Sequence, residues 1–230
     1  MKSFYISMVC LCFLWSCKSD KKQTAEPVQV KQELTTAQKI AHAHGFEHWP
    51  KVSKVQFTFQ VDKDTVKGKG RAWTWYPKEN RVILKTAQDT VDYVRKEVDS
   101  TYRAADQAFI NDKFWLLIPF QLVWDTTAEL SEVKTATAPI SKTQLNKITL
   151  TYPEVGGYTP GDAYDIYYND DYIIKEWTFR KGNSKEPTLS TTFETLQDYE
   201  GIKIAKNHKQ EGGLWNLNFT DVSITLDNKN

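Results

Sequence analysis

Three groups of side chains have types and spacings that could do bond-making or metal chemistry. His42, His44 and His48 fall close together, and imidazoles gathered near a helix end are a known way to ligate zinc. A tetrahedral site needs its donors on one side, whereas residues two apart on a helix face away from each other. His42 and His44 therefore diverge, and no cysteine or neighbouring carboxylate pair completes a ligand set. The expectation is a plain helix end, with His44 close to the last carbonyls. Asp162, Asp165, Asp170 and Asp171 could suggest a calcium loop or an acid pair. Their spacing does not follow the EF-hand order, and Asp170-Asp171 stands where a hairpin needs turn formers. A hydrolase needs a nucleophile with a base in reach. The chain has neither G-x-S-x-G nor H-E-x-x-H, and His208 alternates with Lys206 and Gln210 along a strand, which predicts a solvated imidazole. The expected protein is not an enzyme and holds no metal or cofactor.

The fourth group is aromatic and could do binding chemistry. Trp73, Trp75, Phe114, Trp115, Leu117, Phe120, Trp124, Trp177 and Phe179 are candidates for the wall of an apolar hollow, since ligand sites are mostly apolar with few polar groups. Arg71 or Arg81, near the rim, could pair with a phosphate or carboxylate headgroup. The same aromatics could equally be the core of a filled body, because sequence gives volumes but no void.

These residues need elements to position them. A first helix is expected over Leu34 to His44, with Thr35 or Thr36 as N-cap and Gly45 as the C′ residue. Val55, Phe57, Phe59 and Val61 alternate with polar residues, the mark of a half-buried strand. Strands follow at Gly70 to Tyr76, Arg81 to Lys85 and Asp89 to Asp99, a meander. Between Ala104 and Trp124 the period turns helical, and Phe114 to Phe120 is the most apolar stretch after the N-terminal region. A helix this apolar must lie on something apolar, and the aromatic face of the sheet is the obvious partner. Strands are expected again at Glu129 to Thr135, Asn146 to Tyr152, Ala163 to Tyr168, Tyr172 to Lys181, Thr188 to Tyr199, Ile202 to Gln210 and Trp215 to Leu226. About ten strands in one antiparallel sheet must twist and curl. The expected fold is mainly β (α+β), one curved antiparallel sheet forming an unclosed half-barrel capped by helices.

The N-terminal residues set the setting. Phe4 to Trp15 is an apolar run behind Lys2, too short to span a bilayer but the right length for the core of a secretory signal. Leu14-Trp15-Ser16-Cys17 resembles the lipobox of bacterial lipoproteins, which implies that residues 1–16 are a signal peptide and that Cys17 becomes the lipidated first residue. With Cys10 and Cys12 removed, no disulfide framework remains. Residues 17–33 are polar and without apolar period, the composition of a flexible tether. A net charge of +1 lacks the basic footprint of a nucleic-acid binder.

His44-Gly45-Phe46-Glu47-His48-Trp49, the strand Val55 to Val61, the helical Lys113 to Val123 and the series from Asp165 through Asp170 to Tyr199-Glu200-Gly201-Ile202-Lys203 are similar, in pattern and order, to the outer-membrane lipoprotein-sorting and LppX-like superfamily of LolA/LolB type, especially its lipoprotein members in Bacteroidetes. The resemblance implies a half-barrel over residues 34–230 whose apolar hollow holds a lipid or acyl chain, tethered to the outer membrane and facing the periplasm. The alternative is a structural or interaction module of the envelope with a solid core.

Overall fold

The computed structural model describes residues 33–156 and 158–227. The expected signal peptide, Cys17 and most of the tether lie outside them. The first helix, α1 (Thr36–Ala43), starts on a capping box in which the Thr35 hydroxyl accepts from the Gln38 N–H and the Gln38 side chain accepts from the Thr35 N–H. It ends on Gly45, whose φ of 88° is the left-handed conformation that favours glycine. Ala37, Ile40 and Ala41 are buried, and a 3-10 turn over Phe46–Lys51 feeds the chain into the sheet.

The strands β1 (Val52–Lys63), β2 (Arg71–Tyr76), β3 (Arg81–Lys85) and β4 (Thr90–Val94) form the expected meander. Burial alternates along β1 at Val55, Phe57 and Phe59, in step with the apolar pattern. Beyond the helices come β5 (Glu129–Leu130), β6 (Lys134–Thr137), β7 (Gln144–Thr151), β8 (Ala163–Tyr168), β9 (Ile174–Arg180), β10 (Leu189–Thr192), β11 (Glu194–Tyr199), β12 (Ile202–Lys209) and β13 (Trp215–Leu226). All pairings are antiparallel, in a seven-stranded ladder β11-β12-β13-β1-β2-β3-β4 and a second ladder β10-β9-β8-β7-β5 to which β6 adds on β7. Neither ladder closes on itself. The mainly β, antiparallel, unclosed architecture read from the sequence is present, with its strands divided between two hydrogen-bonded sheets.

The division falls inside a segment that reads as one strand. Thr188 to Tyr199 runs in the second sheet until the Phe193 N–H donates to the Lys175 carbonyl, and Glu194 then pairs with Asn207 in the first. The sheets are stitched there by the Lys209 N–H donating to the Thr192 hydroxyl and by the His208 imidazole on the Thr192 carbonyl. Which sheet a strand joins is a choice of long-range partners, and alternation along the chain does not encode it.

Two helices lie on the inner faces. The expected single helical run is split into α2 (Arg103–Leu116) and α3 (Ile118–Trp124) at Leu117, because Pro119 in the first turn of α3 has no N–H to continue the ladder. Leu116, Leu117, Ile118 and Phe120 are buried. The Phe109 ring of α2 meets Trp73 and Trp75 of β2, each at 5.4 Å, and Trp115 meets Trp177 of β9 at 4.2 Å. The helix therefore bridges the two sheets.

Candidate functional site

Helix α2 has two working faces. On its core face, Asp112 is fully buried and accepts two bonds from Arg71, at 2.8 and 2.7 Å, and one from the Trp73 indole at 2.8 Å. A turn and a half earlier, buried Asp106 accepts from Arg95 at 2.7 Å and from the Tyr93 and Tyr158 hydroxyls. These carboxylates pin the helix to the sheet and the neighbouring loops. A buried ion pair is worth keeping only where hydrogen bonds complete it, as they do here.

The opposite face, with Gln107, Ile110, Asn111 and Phe114 at helical spacing, borders a cavity of about 950 Å³. Tyr164, Trp177, Phe179 and Leu189 of the second sheet form its far wall. The wall aromatics touch one another: Phe114 sits 4.7 Å from Tyr164 and 5.8 Å from Trp177, and Tyr164 stacks on Phe179 at 5.1 Å. Val155 and Tyr158, both lining the cavity and both exposed, mark where it opens to solvent. This volume lies within the range of small-molecule and lipid sites.

One edge of the cavity is polar. The Lys113 ammonium donates to the Gln121 side-chain oxygen at 3.1 Å and stands 5.3 Å over the Trp124 ring. The Gln121 amide nitrogen reaches the Asp125 carboxylate at 3.4 Å, and Thr127 donates to Asp125 from both its N–H and its hydroxyl. Burial pulls the Lys113 ammonium down to about 8, helped by the Arg95 charge and opposed by Asp125. Burial by itself would raise the Asp125 carboxyl, but the bonds from Thr127, Tyr152 and Gln121 outweigh it and hold it below the usual range. Burial and the Asp125 charge push the Tyr152 hydroxyl up.

The residues expected from sequence divide. Phe114, Trp115, Trp177 and Phe179 line the cavity. Trp73, Trp75, Leu117 and Phe120 instead sit in packed core, under Phe109 and the 3-10 turn, and Trp124 meets Trp49 edge-on at 4.8 Å. Arg71 is engaged by Asp112, and Arg81 forms a two-bond pair with Asp92 on the outer surface and lies over Tyr76. Neither faces the cavity, whose lining cations are Arg95 and Lys113. Sequence reasoning missed Lys113, Gln121, Asp125 and the tyrosines. The sequence pattern, Ile110 and Phe114 on one side and carboxylates on the other, is that of an ordinary surface helix, and it does not show that the carboxylate side is the buried one.

The solvated reading of His208 is overturned. Its imidazole is fully buried between Trp115, Phe193 and Phe219, because Ile202 and Ile204, of the same strand parity, already commit that face to the core. Burial drags it to about 4, partly offset by its bond to the Thr192 carbonyl. His44 is buried too, with its Nδ1 on the Ile40 carbonyl at 2.8 Å, while His42 and His48 flank Glu47. Asp165 pairs with Arg180 and Lys147, and Asp162 accepts from the Gly182 N–H at the cavity edge.

No family model matches the chain, and no curated protein matches it in sequence. Among solved structures it is similar to a LolA superfamily protein from Nitrosomonas europaea, at 12% identity over 84% of this chain and 94% of that one, with a TM-score of 0.46. It is also similar to a DUF1329 family protein from Desulfovibrio piger, at 7% identity over 84% and 93% with a TM-score of 0.43. A domain named for outer membrane lipoprotein sorting, from Vibrio parahaemolyticus, gives 9% identity over 84% and 95% with a TM-score of 0.43. Likenesses at this level transfer neither a ligand nor a role.

Proposed function

We propose that the chain is a non-enzymatic, lipid-anchored protein of the bacterial envelope that binds a hydrophobic ligand, a lipid or acyl chain, in the cavity beside α2. The observation that carries this reading is the aromatic cavity of about 950 Å³ open past Val155 and Tyr158. The envelope setting rests on the lipobox-like Leu14 to Cys17, with residues 1–16 removed, 17–33 as tether and 34–230 as the folded body, held at the outer membrane and facing the periplasm. The His208 imidazole is fully buried among Trp115, Phe193 and Phe219, which supports binding without turnover.

Native mass spectrometry of the full chain carrying Cys17→Ser, purified without detergent, is the test: co-purifying acyl species are expected, and Leu189→Trp, which narrows the cavity at its β10 wall, should reduce them. The second reading, an envelope docking module with a solid core, draws support from the seven-stranded half, where Trp73, Trp75, Phe109 and Phe120 pack into one buried core. Absence of any bound species, with no tryptophan fluorescence response to added phospholipid, would favour it.

A further inference from the structure

We propose that the cavity selects an acidic amphiphile, with the anionic head on the Lys113 ammonium and the chain along the Phe114, Tyr164 and Trp177 wall. This rests on the binding reading above and adds the ligand's chemical class. The polar edge has two lining cations, and they are not equivalent. Arg95 is held by the buried Asp106 carboxylate at 2.7 Å, so its charge is already answered. Lys113 has no carboxylate within 4 Å among the described residues; its protein contacts are one neutral amide oxygen and the face of an indole. An ammonium carries three donors, so two are left for whatever enters the cavity. Asp125, a carboxylate that could neutralise it, is separated from it by the Gln121 amide, which bonds one group at each end, and Asp125 takes its other bonds from Thr127 and Tyr152. A desolvated cation with spare donors beside an apolar wall is a better host for a carboxylate or phosphate than for a neutral head, because a charge-assisted bond out of bulk water is stronger than a neutral one. Lys113 directly precedes Phe114, so head and first methylenes of a bound chain would meet successive residues of one helix.

The experiment titrates the full chain carrying Cys17→Ser with dodecanoate and with dodecan-1-ol, probes of equal chain length, following the emission of Trp115, Trp177 and Trp124. Dodecanoate should bind about tenfold or more tightly than the alcohol. Lys113→Met, which keeps the stem and removes the charge, should bring the two affinities together without weakening the alcohol, and Lys113→Arg should restore the preference. Equal binding of both probes to the unsubstituted cavity, or a preference that survives Lys113→Met, overturns the head-group assignment and leaves the cavity reading standing. Binding of neither probe removes both. Should Lys113→Met fail to fold, the comparison of acid with alcohol on the parent cavity decides alone. A dodecyl phosphate arm separates the two head chemistries: binding as tight as the carboxylate makes the site one for acidic heads in general, and its exclusion narrows the site to carboxylates.

Discussion

Buried ionisable side chains decide how this chain responds to its surroundings. His208 and His44 are both held near 4 by burial, against about 6.5 in an unfolded chain. Below that value the unfolded state takes up protons that the folded state refuses, so stability is complete above pH 6.5 and is lost as pH falls toward 4. Each imidazole should cost about 2 kcal/mol at pH 5 relative to pH 7. Urea midpoints at the two values measure it; His208→Gln should remove roughly half of the drop, and a midpoint that does not move would show the imidazoles are not enclosed as described. Asp112 offers a second measurement. Asp112→Ala leaves Arg71 and the Trp73 indole without their acceptor and should destabilise by about 3–5 kcal/mol, read from the same denaturation curves. Neither site was legible in the sequence. His208 sits between lysines and a glutamine, and Asp112 looks like any polar residue on an exposed helix face, because burial is set by what distant segments bring over it: Trp115 and Phe193 on His208, Arg71 and Trp73 on Asp112.

Most elements were legible to within a few residues, but the strand expected over Asp89 to Asp99 stops at Val94, and the one expected over Glu129 to Thr135 is two, β5 and β6, each paired with β7. Ala163–Tyr168, Arg81–Lys85 and Trp215–Leu226 fall where alternation and turn residues put them, and Thr35 and Gly45 bracket the first helix. What escaped were changes of partner: the split of the helical run at Leu117 was visible in Pro119, but the handover at Phe193 was not visible in any local residue. The close approach of two turns was half legible. Gly45 reads as the residue that ends the first helix, and the structure adds that a side chain on it would meet the Gly201 carbonyl oxygen at 1.9 Å. Gly45→Ala therefore combines a positive φ with a collision and should cost at least roughly 1–3 kcal/mol from backbone strain, seen as a lowered Tm. A neutral result would mean that this corner is not packed as tightly as the distances say.

At the scale of the whole molecule, the sequence placed the aromatics in a bowl beneath a helical lid, and the chain builds half of that. The β2 side is filled by Phe109, while the β8–β9 side stays hollow. Volume is the property a sequence cannot show, since the same tryptophan plugs one side and lines the other. If Cys17 carries the proposed anchor, Cys17→Ser should shift the protein from the membrane pellet to the soluble fraction on cell fractionation; an unchanged distribution would count against anchoring through Cys17. The segment from Leu189 to Tyr199 carries a last consequence. One continuous stretch of backbone serves as the border of both ladders, so neither can come apart while its neighbour stays intact. Heat should melt them together, in a single calorimetric peak whose van't Hoff and measured enthalpies agree.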